Sequence, residues 1–338
     1  MTRPLDRRTA GKWLLAGAAT AATTSLPRAL LAQSTFPSKT LQLVVPYPAG
    51  GTTDVVARTL AHGLSGPTRS ASIAIVENRP GGSSSIGTGF VARAQADGHT
   101  LLVTTGSTVT LLPHTQGLPF DPLKVLTSVA ELGRTPLFLY ANPGIPAKDL
   151  KGLVAWMKTN PGKITYGSYG QGTQGHFGGV ILGKAAGVDM LHVPFQGGAP
   201  AMQALIGGHV QLMIDAYQPA MEQVKAGKVL ALAVSSPERS PYAPEVPSFR
   251  ELGLPQLEAI SGFFGMFAPA ATKPETVAVL SRLVSGITAS DAYRQSLAKL
   301  GVLPPQALTP AQMDRANRQT NAEWAKFVRD IGYRRGEA

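Results

Sequence analysis

The segment VVPYPAGGTTDVVARTL, residues 44–60, ends an apolar strand in prolines and then places glycines and threonines where a helix begins. The first N–H groups of a helix have no partners within the helix, and glycine puts no side chain in front of them. Together with the helix dipole, these donors favour a negatively charged group. The segment therefore predicts an anion site that is built mainly from the main chain.

Two further segments have the same pattern of a strand followed by glycines and hydroxyls that open a helix. They are RPGGSSSIG at residues 79–87 and YGSYGQGTQGHF at residues 166–177. Helix capping alone would explain any one of them, because Ser and Thr are good N-caps. Ligands bind at the carboxyl ends of strands in open parallel sheets, so three such turns in one chain favour a binding function.

The segments that resemble catalytic or nucleotide motifs each lack a required residue. Residues 170–175 match GxGxxG, but the next strand does not end in the acid that would bind a ribose. The GxxxxGK match that ends at Lys184 has Ala185 in place of the hydroxyl that holds magnesium. Ser168 has Tyr166 where a GxSxG turn needs glycine. The sequence predicts no enzyme active site and no cofactor.

The six histidines show no HExxH or other metal-binding spacing, so we predict no metal site. His176 is interpreted as a core or surface imidazole, with contact to a ligand left open. We expect Asp54 to cap the first turn of its own helix and to pair with Arg58 at i+4. The alternative for Asp54 is an ammonium group, if the ligand is an amino acid.

Composition indicates a globular chain of about two domains, since 338 residues contain 43% hydrophobic and 15% charged residues. The absence of cysteine excludes disulfides, Cys-based zinc sites and thiol catalysis. The formal net charge is +11, and residues 1–32 carry +4 of it; the remaining +7 is scattered and is not interleaved with aromatic residues. Nucleic acid is therefore not predicted as a partner.

The first 32 residues have the layout of an export signal. Arg7, Arg8 and Lys12 precede an Ala-rich apolar run at residues 13–22, and we expect cleavage near Ala32. The paired arginines suit twin-arginine export, with Sec export left open. The apolar run is shorter than the roughly 20 residues of a membrane span. We therefore predict an exported protein.

Short apolar runs alternate with segments of helical period along the rest of the chain. The predicted strands are at residues 41–45, 73–76, 101–104, 137–141, 164–167, 190–193, 210–214, 229–234 and 263–267. The predicted helices between them are at residues 53–64, 85–96, 150–159, 175–186, 199–206 and 219–226. This alternation is typical of parallel sheets with crossover helices, and it restarts after residue 136. The sequence predicts an α/β fold of two lobes.

The end of the chain predicts one more helix. Thr309, Pro310 and Gln312 form a capping box with proline at the first helical position. We expect Trp324, Phe327 and Val328 to pack this helix back onto a lobe.

Many motifs in order resemble the Bug family, the substrate-binding proteins of tripartite tricarboxylate transporters. They are VVPYPAGGTTDVVAR, VENRPGG with SIG, ADGHTLL, LPFDPLK, YGSYGQGT with His176, HVPFQGGAPAMQALIGGHVQLMID, and VPSFRELG. The resemblance extends from about residue 36 to the C-terminus. It implies a monomeric periplasmic solute receptor with a two-lobed, Venus-flytrap fold, in which each lobe is a mostly parallel sheet flanked by helices.

The resemblance also implies lobe boundaries, a ligand and partners. One lobe would contain residues 33–136 and 260–338, and the other residues 137–259. The ligand would be a small organic carboxylate, and the partners would be the membrane permease subunits of a tripartite tricarboxylate-type transporter. The implied site residues of the first lobe are Tyr47, Ala49, Gly50, Gly51, Thr52, Asp54, Ser107 and Thr108. Those of the second lobe are Ser168, Gly172, Thr173, Gly198, Ala199 and Asp215.

Two other functions share parts of this pattern. An extracytoplasmic sensor for a membrane signalling partner would have the same fold, and an exported hydrolase or dehydrogenase is the enzymatic alternative. The chain departs from the family in its serine-rich segment at residues 82–85 and in Phe264, which stands where the family often has Trp. These departures leave the identity of the carboxylate open.

Overall fold

The computed structural model of the protein describes residues 36–65, 74–195, 197–217 and 220–334. The predicted export signal lies outside these residues. Within them, ten strands form two separate sheets of five strands each. We refer to each sheet with its flanking helices as a lobe. No helix in this part of the chain is long and apolar enough to cross a membrane.

The first sheet combines four strands from the start of the chain with one from late in the chain. Its strands are β1 (Leu41–Val45), β2 (Ala74–Asn78), β3 (Thr100–Thr105), β4 (Leu126–Thr135) and β10 (Gly262–Pro269). Their order is β2-β1-β3-β10-β4. Strand β1 is parallel to β2 and β3, whereas β10 is antiparallel to both of its neighbours. Four of the five strands therefore run in one direction.

The second sheet repeats this arrangement. Its strands are β5 (Phe138–Ala141), β6 (Thr165–Ser168), β7 (Leu191–Pro194), β8 (Leu212–Asp215) and β9 (Leu230–Val234). Their order is β7-β6-β8-β5-β9, and only β5 is reversed. Each sheet is thus mostly parallel, as predicted, with one reversed strand that comes directly after a crossover between the lobes.

Twelve α-helices cover the described parts of the two sheets. Those before the first crossover are α1 (Thr52–Leu64), α2 (Ser85–Ala92), α3 (Gly106–Thr110), α4 (Leu112–Thr115) and α5 (Pro122–Val125). The second lobe contains α6 (Leu150–Thr159), α7 (Gln174–Ala186), α8 (Gly198–Ile206) and α9 (Ala220–Lys225). The chain ends in α10 (Pro274–Thr288), α11 (Asp291–Ala298) and α12 (Pro310–Asp330). Helix α1 shows why these segments fold as they do, since Val56, Leu60 and Leu64 recur on one face and are buried.

Two crossovers connect the lobes, one between β4 and β5 and the other between β9 and β10. Serines tie the two crossovers together. The hydroxyl of Ser235 accepts a hydrogen bond from the N–H of Leu137 at 2.8 Å and lies 2.8 Å from the hydroxyl of Ser261. Because both crossovers leave from the carboxyl ends of their sheets' parallel strands, those ends face each other and form the walls of a cleft.

Helix α12 contacts both lobes. In its first half, Asn317 donates a hydrogen bond to Ser128 of β4 at 3.1 Å. In its second half, the rings of Trp324 and Phe327 each lie 5.7 Å from the ring of Phe177 on α7. The predicted capping box at Thr309 is confirmed, and so is the predicted packing of Trp324, Phe327 and Val328, which contact the second lobe.

Strand β4 and the end of α2 differ from the sequence predictions. Strand β4 was missed because Ser128 and Glu131 interrupt its apolar pattern. Both residues are buried. Ser128 accepts a hydrogen bond from Asn317, and Glu131 accepts one from the N–H of Gln306. Such partners, far along the chain, leave no local signal. Helix α2 ends at Ala92 instead of residue 96, because the chain turns there toward the loop that leads into β3.

Candidate functional site

The turn between β1 and α1 leaves the N-terminus of a helix open. Helix α1 begins after Gly51, which has extended backbone angles and provides no side-chain cap. Ala49, Gly50 and Gly51 are exposed, and Thr52 is half-buried. The first N–H groups of this 13-residue helix therefore lie at the surface of the cleft wall, where an anion would find donors and a favourable helix dipole.

Asp54 is tied to the back of this turn. Its carboxylate accepts hydrogen bonds from the N–H of Gly50, from Arg58 Nε and from Asn78 Nδ2, each at 2.9 Å. The side chain is only 3% exposed. Burial raises the pKa of Asp54, but the bonds from Arg58, Gly50 and Asn78 outweigh it and hold the pKa below its ordinary value. The expected pairing with Arg58 is confirmed, and the negative charge is neutralised behind the turn.

A cluster of hydroxyls lies beside the turn, at the start of α3. The phenol of Tyr47 is 2.9 Å from the hydroxyls of both Thr105 and Thr108. Thr104 is 2.8 Å from Thr108, and Ser107 is 2.8 Å from Thr105. Thr108 is fully buried, whereas Ser107 is partly exposed. Of these, only Tyr47, Thr105 and Ser107 therefore present part of their surface to the cleft.

The turn between β6 and α7, on the facing lobe, satisfies its own donors. The hydroxyl of Thr173 accepts a hydrogen bond from the N–H of His176 at 3.4 Å and donates one to the carbonyl of Gly170 at 2.6 Å. Ser168 is fully buried, and its hydroxyl donates to the same carbonyl at 2.9 Å. These hydroxyls are engaged within the turn.

Two stacked histidines support this turn from below. The rings of His176 and His192 are 4.0 Å apart. His176 Nδ1 accepts a hydrogen bond from the N–H of Gly172 at 3.1 Å, and His192 Nε2 lies 2.7 Å from the hydroxyl of Ser168. Burial lowers the pKa of His176 to about 4; burial and the neighbouring His176 lower the pKa of His192 to about 3. His176 is thus a core imidazole, as interpreted from the sequence.

The second lobe has its own open helix N-terminus, at α8. Gly197 precedes this helix and provides no side-chain cap. The carboxyl of Asp215, at the end of β8, lies against Gly198 so closely that a Cβ there would clash with it. Asp215 accepts a hydrogen bond from the N–H of Ala216 at 2.7 Å, yet its burial raises the pKa to about 7.

Tyr169 links the two walls electrostatically. Burial raises the pKa of its phenol, and Asp215 and Tyr47 raise it further. Tyr47 belongs to the first lobe and Asp215 to the second, so Tyr169 lies within electrostatic range of predicted residues on both lobes.

The lobes also touch on both sides of the cleft. On one side, Gln116 Nε2 donates a hydrogen bond to the carbonyl of Gln171 at 2.7 Å, and Ser83 donates to Gln116 Oε1 at 3.1 Å. On the other side, the phenol of Tyr242 donates to the carbonyl of Val302 at 3.2 Å. These contacts hold the two walls of the cleft together at its edges.

The structure places the predicted residues in two facing groups and adds others that sequence reasoning missed. Asn78 and Gln116 are the principal additions. Asn78 could have been predicted as a site residue, because it is polar and lies at the carboxyl end of β2, the strand next to β1. Gln116 could not, because its partner Gln171 is 55 residues away in the sequence. Among the predicted residues, Ala49, Gly50, Gly51 and Ala199 are exposed, and Asp54, Thr108, Ser168, Gly172 and Asp215 are buried.

In the described part of the chain, no group of three or more His, Asp or Glu residues is placed to hold a metal ion. Two α/β lobes, joined by two crossovers and with facing carboxyl ends, define the two-lobed periplasmic-binding-protein fold that the sequence predicted.

Comparison with known proteins identifies the family. The model for the tripartite tricarboxylate transporter family receptor matches residues 56–333. Protein BugT of Bordetella pertussis is 33% identical over 303 residues, which cover 88% of this chain and 91% of BugT. The chain belongs to this family of solute-binding receptors.

Solved structures agree with the assignment. That of R. palustris Rpa4515 with adipate is 29% identical, with a TM-score of 0.77, and the match covers 88% of this chain and 98% of that one. MatC from Rhodopseudomonas palustris with bound malate is 31% identical, with a TM-score of 0.73, and the match covers 87% of this chain and all of that one.

Proposed function

We propose that the protein is an exported receptor that captures a small organic carboxylate between its lobes and delivers it to the membrane permease subunits of a tripartite tricarboxylate-type transporter. The observation that carries this proposal is the uncapped N-terminus of α1 on one wall of the cleft. The relatives with adipate and malate support the ligand class, since both are small carboxylates. The proposal includes periplasmic function after removal of residues 1–32.

One carboxylate group of the ligand would bind the N–H groups of Gly51 and Thr52, with Tyr47 and Ser107 beside it. The rest of the ligand would lie against the second lobe near Ala199 and Asp215. We assign residues 33–136 and 260–338 to the first lobe and residues 137–259 to the second. The ligand would hold the two walls together and so favour the arrangement that a permease docks with.

The expected affinity follows from the donors at α1. A helix N-terminus contributes roughly 0.3 to 2 kcal/mol to an anion, and each hydrogen bond to a charged oxygen contributes about 1.5 to 3 kcal/mol. With four or five such bonds, reduced by the costs of ordering, a binding free energy of about −8 kcal/mol corresponds to a micromolar complex. No covalent step is needed.

A thermal-shift screen tests the ligand class. Dicarboxylates and tricarboxylates are added to the chain that lacks residues 1–32, and a bound acid raises the apparent stability by about 2.7 kcal/mol at 100 times its Kd. The same screen on Gly51→Trp should show no shift, because the indole covers the donors of α1. A Cβ at Gly51 meets only the carbonyl of Pro48, at 3.6 Å, so the fold accepts this substitution.

Gly286→Trp is the matched control. Gly286 is exposed on α10, and a Cβ there would meet nothing within 4 Å. This variant should keep the full thermal shift. A carboxylate that stabilises Gly51→Trp as strongly as the unchanged protein would show that the α1 site is misplaced, and a screen without any stabilising carboxylate would reject the ligand class.

A further inference from the structure

A second cavity lies beside the crossovers and contains none of the predicted site residues. Its volume is about 620 Å³. One wall is the C-terminal half of α7, with Ile181, Lys184 and Ala185, whereas the cleft is at the opposite end of that helix. The volume falls in the range of roughly 300 to 1,000 Å³ that is typical of small-molecule sites.

The floor of the cavity is apolar. Ile181 and Trp324 are buried, with 8% and 4% of their surface exposed, and Phe327 packs against them. Trp324 and Phe327 belong to α12, and their rings are 5.6 Å apart in an edge-to-face arrangement. A hydrocarbon group that enters the cavity would therefore contact Phe327 and the small exposed parts of Ile181 and Trp324.

The rim of the cavity carries two cations, Arg134 and Lys184, and two acids, Glu258 and Glu323. The acid Glu258 is already held by Arg250 through two hydrogen bonds of 2.6 Å. Glu323, the other acid, is exposed and accepts a hydrogen bond from Gln319 at 2.9 Å.

The two rim cations differ in their acidic neighbours. Arg134 Nε lies 3.7 Å from Glu131 Oε1, which is an ion-pair distance but longer than a hydrogen bond. Lys184 is exposed, and it lowers the pKa of Asp330, but among the described residues no carboxylate lies within 4 Å of its ammonium group. The cavity thus combines an apolar floor with two cations at its edge.

We propose that this cavity binds a small amphipathic carboxylate, with its hydrocarbon group on Ile181, Trp324 and Phe327 and its carboxylate near Lys184 and Arg134. This site is separate from the cleft. The site requires only a preformed pocket and two cations at its rim, so this proposal does not depend on carboxylate binding in the cleft.

The position of the cavity adds a second part to the proposal, which rests on the proposed function. Its walls come from both lobes: Arg134 belongs to β4 of the first sheet, Ala185 to the second lobe, and Ser261 to the second crossover. The cavity has this shape while Gln116 and Gln171 hold the lobes in contact. A molecule that fills it stabilises the same arrangement, so each ligand should raise the affinity of the other by the same factor.

Octanoate is a suitable probe because it has one carboxylate and one hydrocarbon chain. Calorimetric titration of the purified protein should show one octanoate site, and octyltrimethylammonium should not bind there. Ala185→Trp should abolish octanoate binding by filling the cavity, while Ala155→Trp, the same change at an exposed position on α6, should leave it unchanged. Equal octanoate binding to Ala185→Trp, or no octanoate binding to the unchanged protein, would overturn the proposal.

Separate variants test the contribution of the Lys184 charge to octanoate binding and the location of the octanoate site. Lys184→Gln should weaken octanoate binding by about 1.4- to 5-fold, the range expected for an exposed ion pair, and Lys151→Gln on α6 should have no effect. The cleft variant Gly51→Trp should bind octanoate as the unchanged protein does. Octanoate binding that disappears in Gly51→Trp would place the probe in the cleft and reject a second site.

The coupling between sites has its own measurement. Octanoate at saturation should raise the affinity for the carboxylate found by the thermal-shift screen by about 5-fold or more, within the usual range of allosteric coupling. An unchanged affinity would reject the coupling, whereas the titrations with octanoate alone decide the site itself.

Discussion

The two walls of the cleft treat the N-termini of their main helices differently. On the first lobe, α1 begins at Gly51 without a cap, and Asp54 turns back toward Gly50. On the second lobe, Thr173 caps α7 with its hydroxyl. Both turns are rich in glycine and hydroxyl residues. The position of one hydroxyl relative to the helix start therefore decides whether a turn offers its donors to a ligand or uses them itself.

The carboxyl groups of the two walls, Asp54 and Asp215, differ in the number of hydrogen bonds that they accept. Asp54 lies behind its turn with three donors, which keep its pKa low against the effect of burial. Asp215 lies beside the open start of α8 with one backbone donor, and burial raises its pKa to about 7. Asp54 thus stays ionised and bonded behind the first wall, so that the donors of α1 remain open to an anion. The charge of the second wall depends on pH, because it depends on the ionisation of Asp215.

Asp54→Ala should have the largest effect, because it breaks the open turn. The N–H of Gly50 and the side chains of Arg58 and Asn78 lose a charged partner, which should lower the free energy of unfolding by about 3 kcal/mol. Carboxylate affinity should fall by at least about tenfold as the turn loses its position. Urea unfolding and calorimetric titration measure the two effects.

The direction of the affinity change separates two roles for Asp54. If its carboxylate faced the ligand, removing the charge would strengthen anion binding, which is the result that contradicts our interpretation. Asp149→Ala is the control, because Asp149 caps α6 through a single bond to the N–H of Gly152 at 2.7 Å. It should cost about 1 kcal/mol of stability and leave carboxylate affinity unchanged.

Asp215→Asn should change the pH dependence of stability. The pKa of about 7 lies above the ordinary value of 3.8, so between these pH values the folded protein holds a proton that the unfolded chain releases. The contribution of Asp215 is therefore complete below pH 3.8 and declines as pH rises to 7, by at most about 1.4 kcal/mol per pH unit. The stability of Asp215→Asn relative to the unchanged protein should rise over this window and then level off.

The buried histidines do not obscure this measurement. His176 and His192 have pKa values lowered from 6.5, so their contribution has the opposite sign and is lost as pH falls below 6.5. Both are present in the variant and in the unchanged protein, so they cancel in the difference between the two urea unfolding curves. A difference that stays constant from pH 4 to pH 7 would show that Asp215 is ionised throughout.

The elements that the sequence predicted are those with local causes. The open turn before α1, the Asp54–Arg58 pair and the capping box at Thr309 all depend on residues within four positions of one another. Strand β4 and the contact between Gln116 and Gln171 were missed because their causes are distant. The hydroxyl of Ser168 is a similar case, since its partner His192 arrives from the neighbouring strand and nothing near Ser168 indicates it.

Gly172→Ala tests whether the closed turn of the second lobe also serves as the contact surface for the first. Gly172 has a φ of 70°, and a Cβ there would lie 2.8 Å from Thr115 and 2.9 Å from Gln116 Nε2. The variant should therefore hold the lobes apart and weaken carboxylate affinity by about tenfold, or roughly 1.4 kcal/mol.

Gly187→Ala is the matched control for this prediction. Gly187 has a φ of 66°, but a Cβ there would meet nothing within 4 Å. Both variants should lose about 1 kcal/mol of stability through backbone strain, and only Gly172→Ala should lose affinity. Equal affinities in calorimetric titration would mean that contact at Gly172 has no part in holding the ligand.

Thr173→Ala should have the smallest effect and tests the comparison most directly. Removing the hydroxyl leaves the N–H of His176 without its cap and should lower the free energy of unfolding by about 1 kcal/mol. Because this turn uses its donors internally, carboxylate affinity should change by less than about twofold, and Thr173→Ser should restore the stability. An affinity loss as large as that of Asp54→Ala, measured by the same titration, would mean that the capped turn also holds the anion and that the two walls are equivalent.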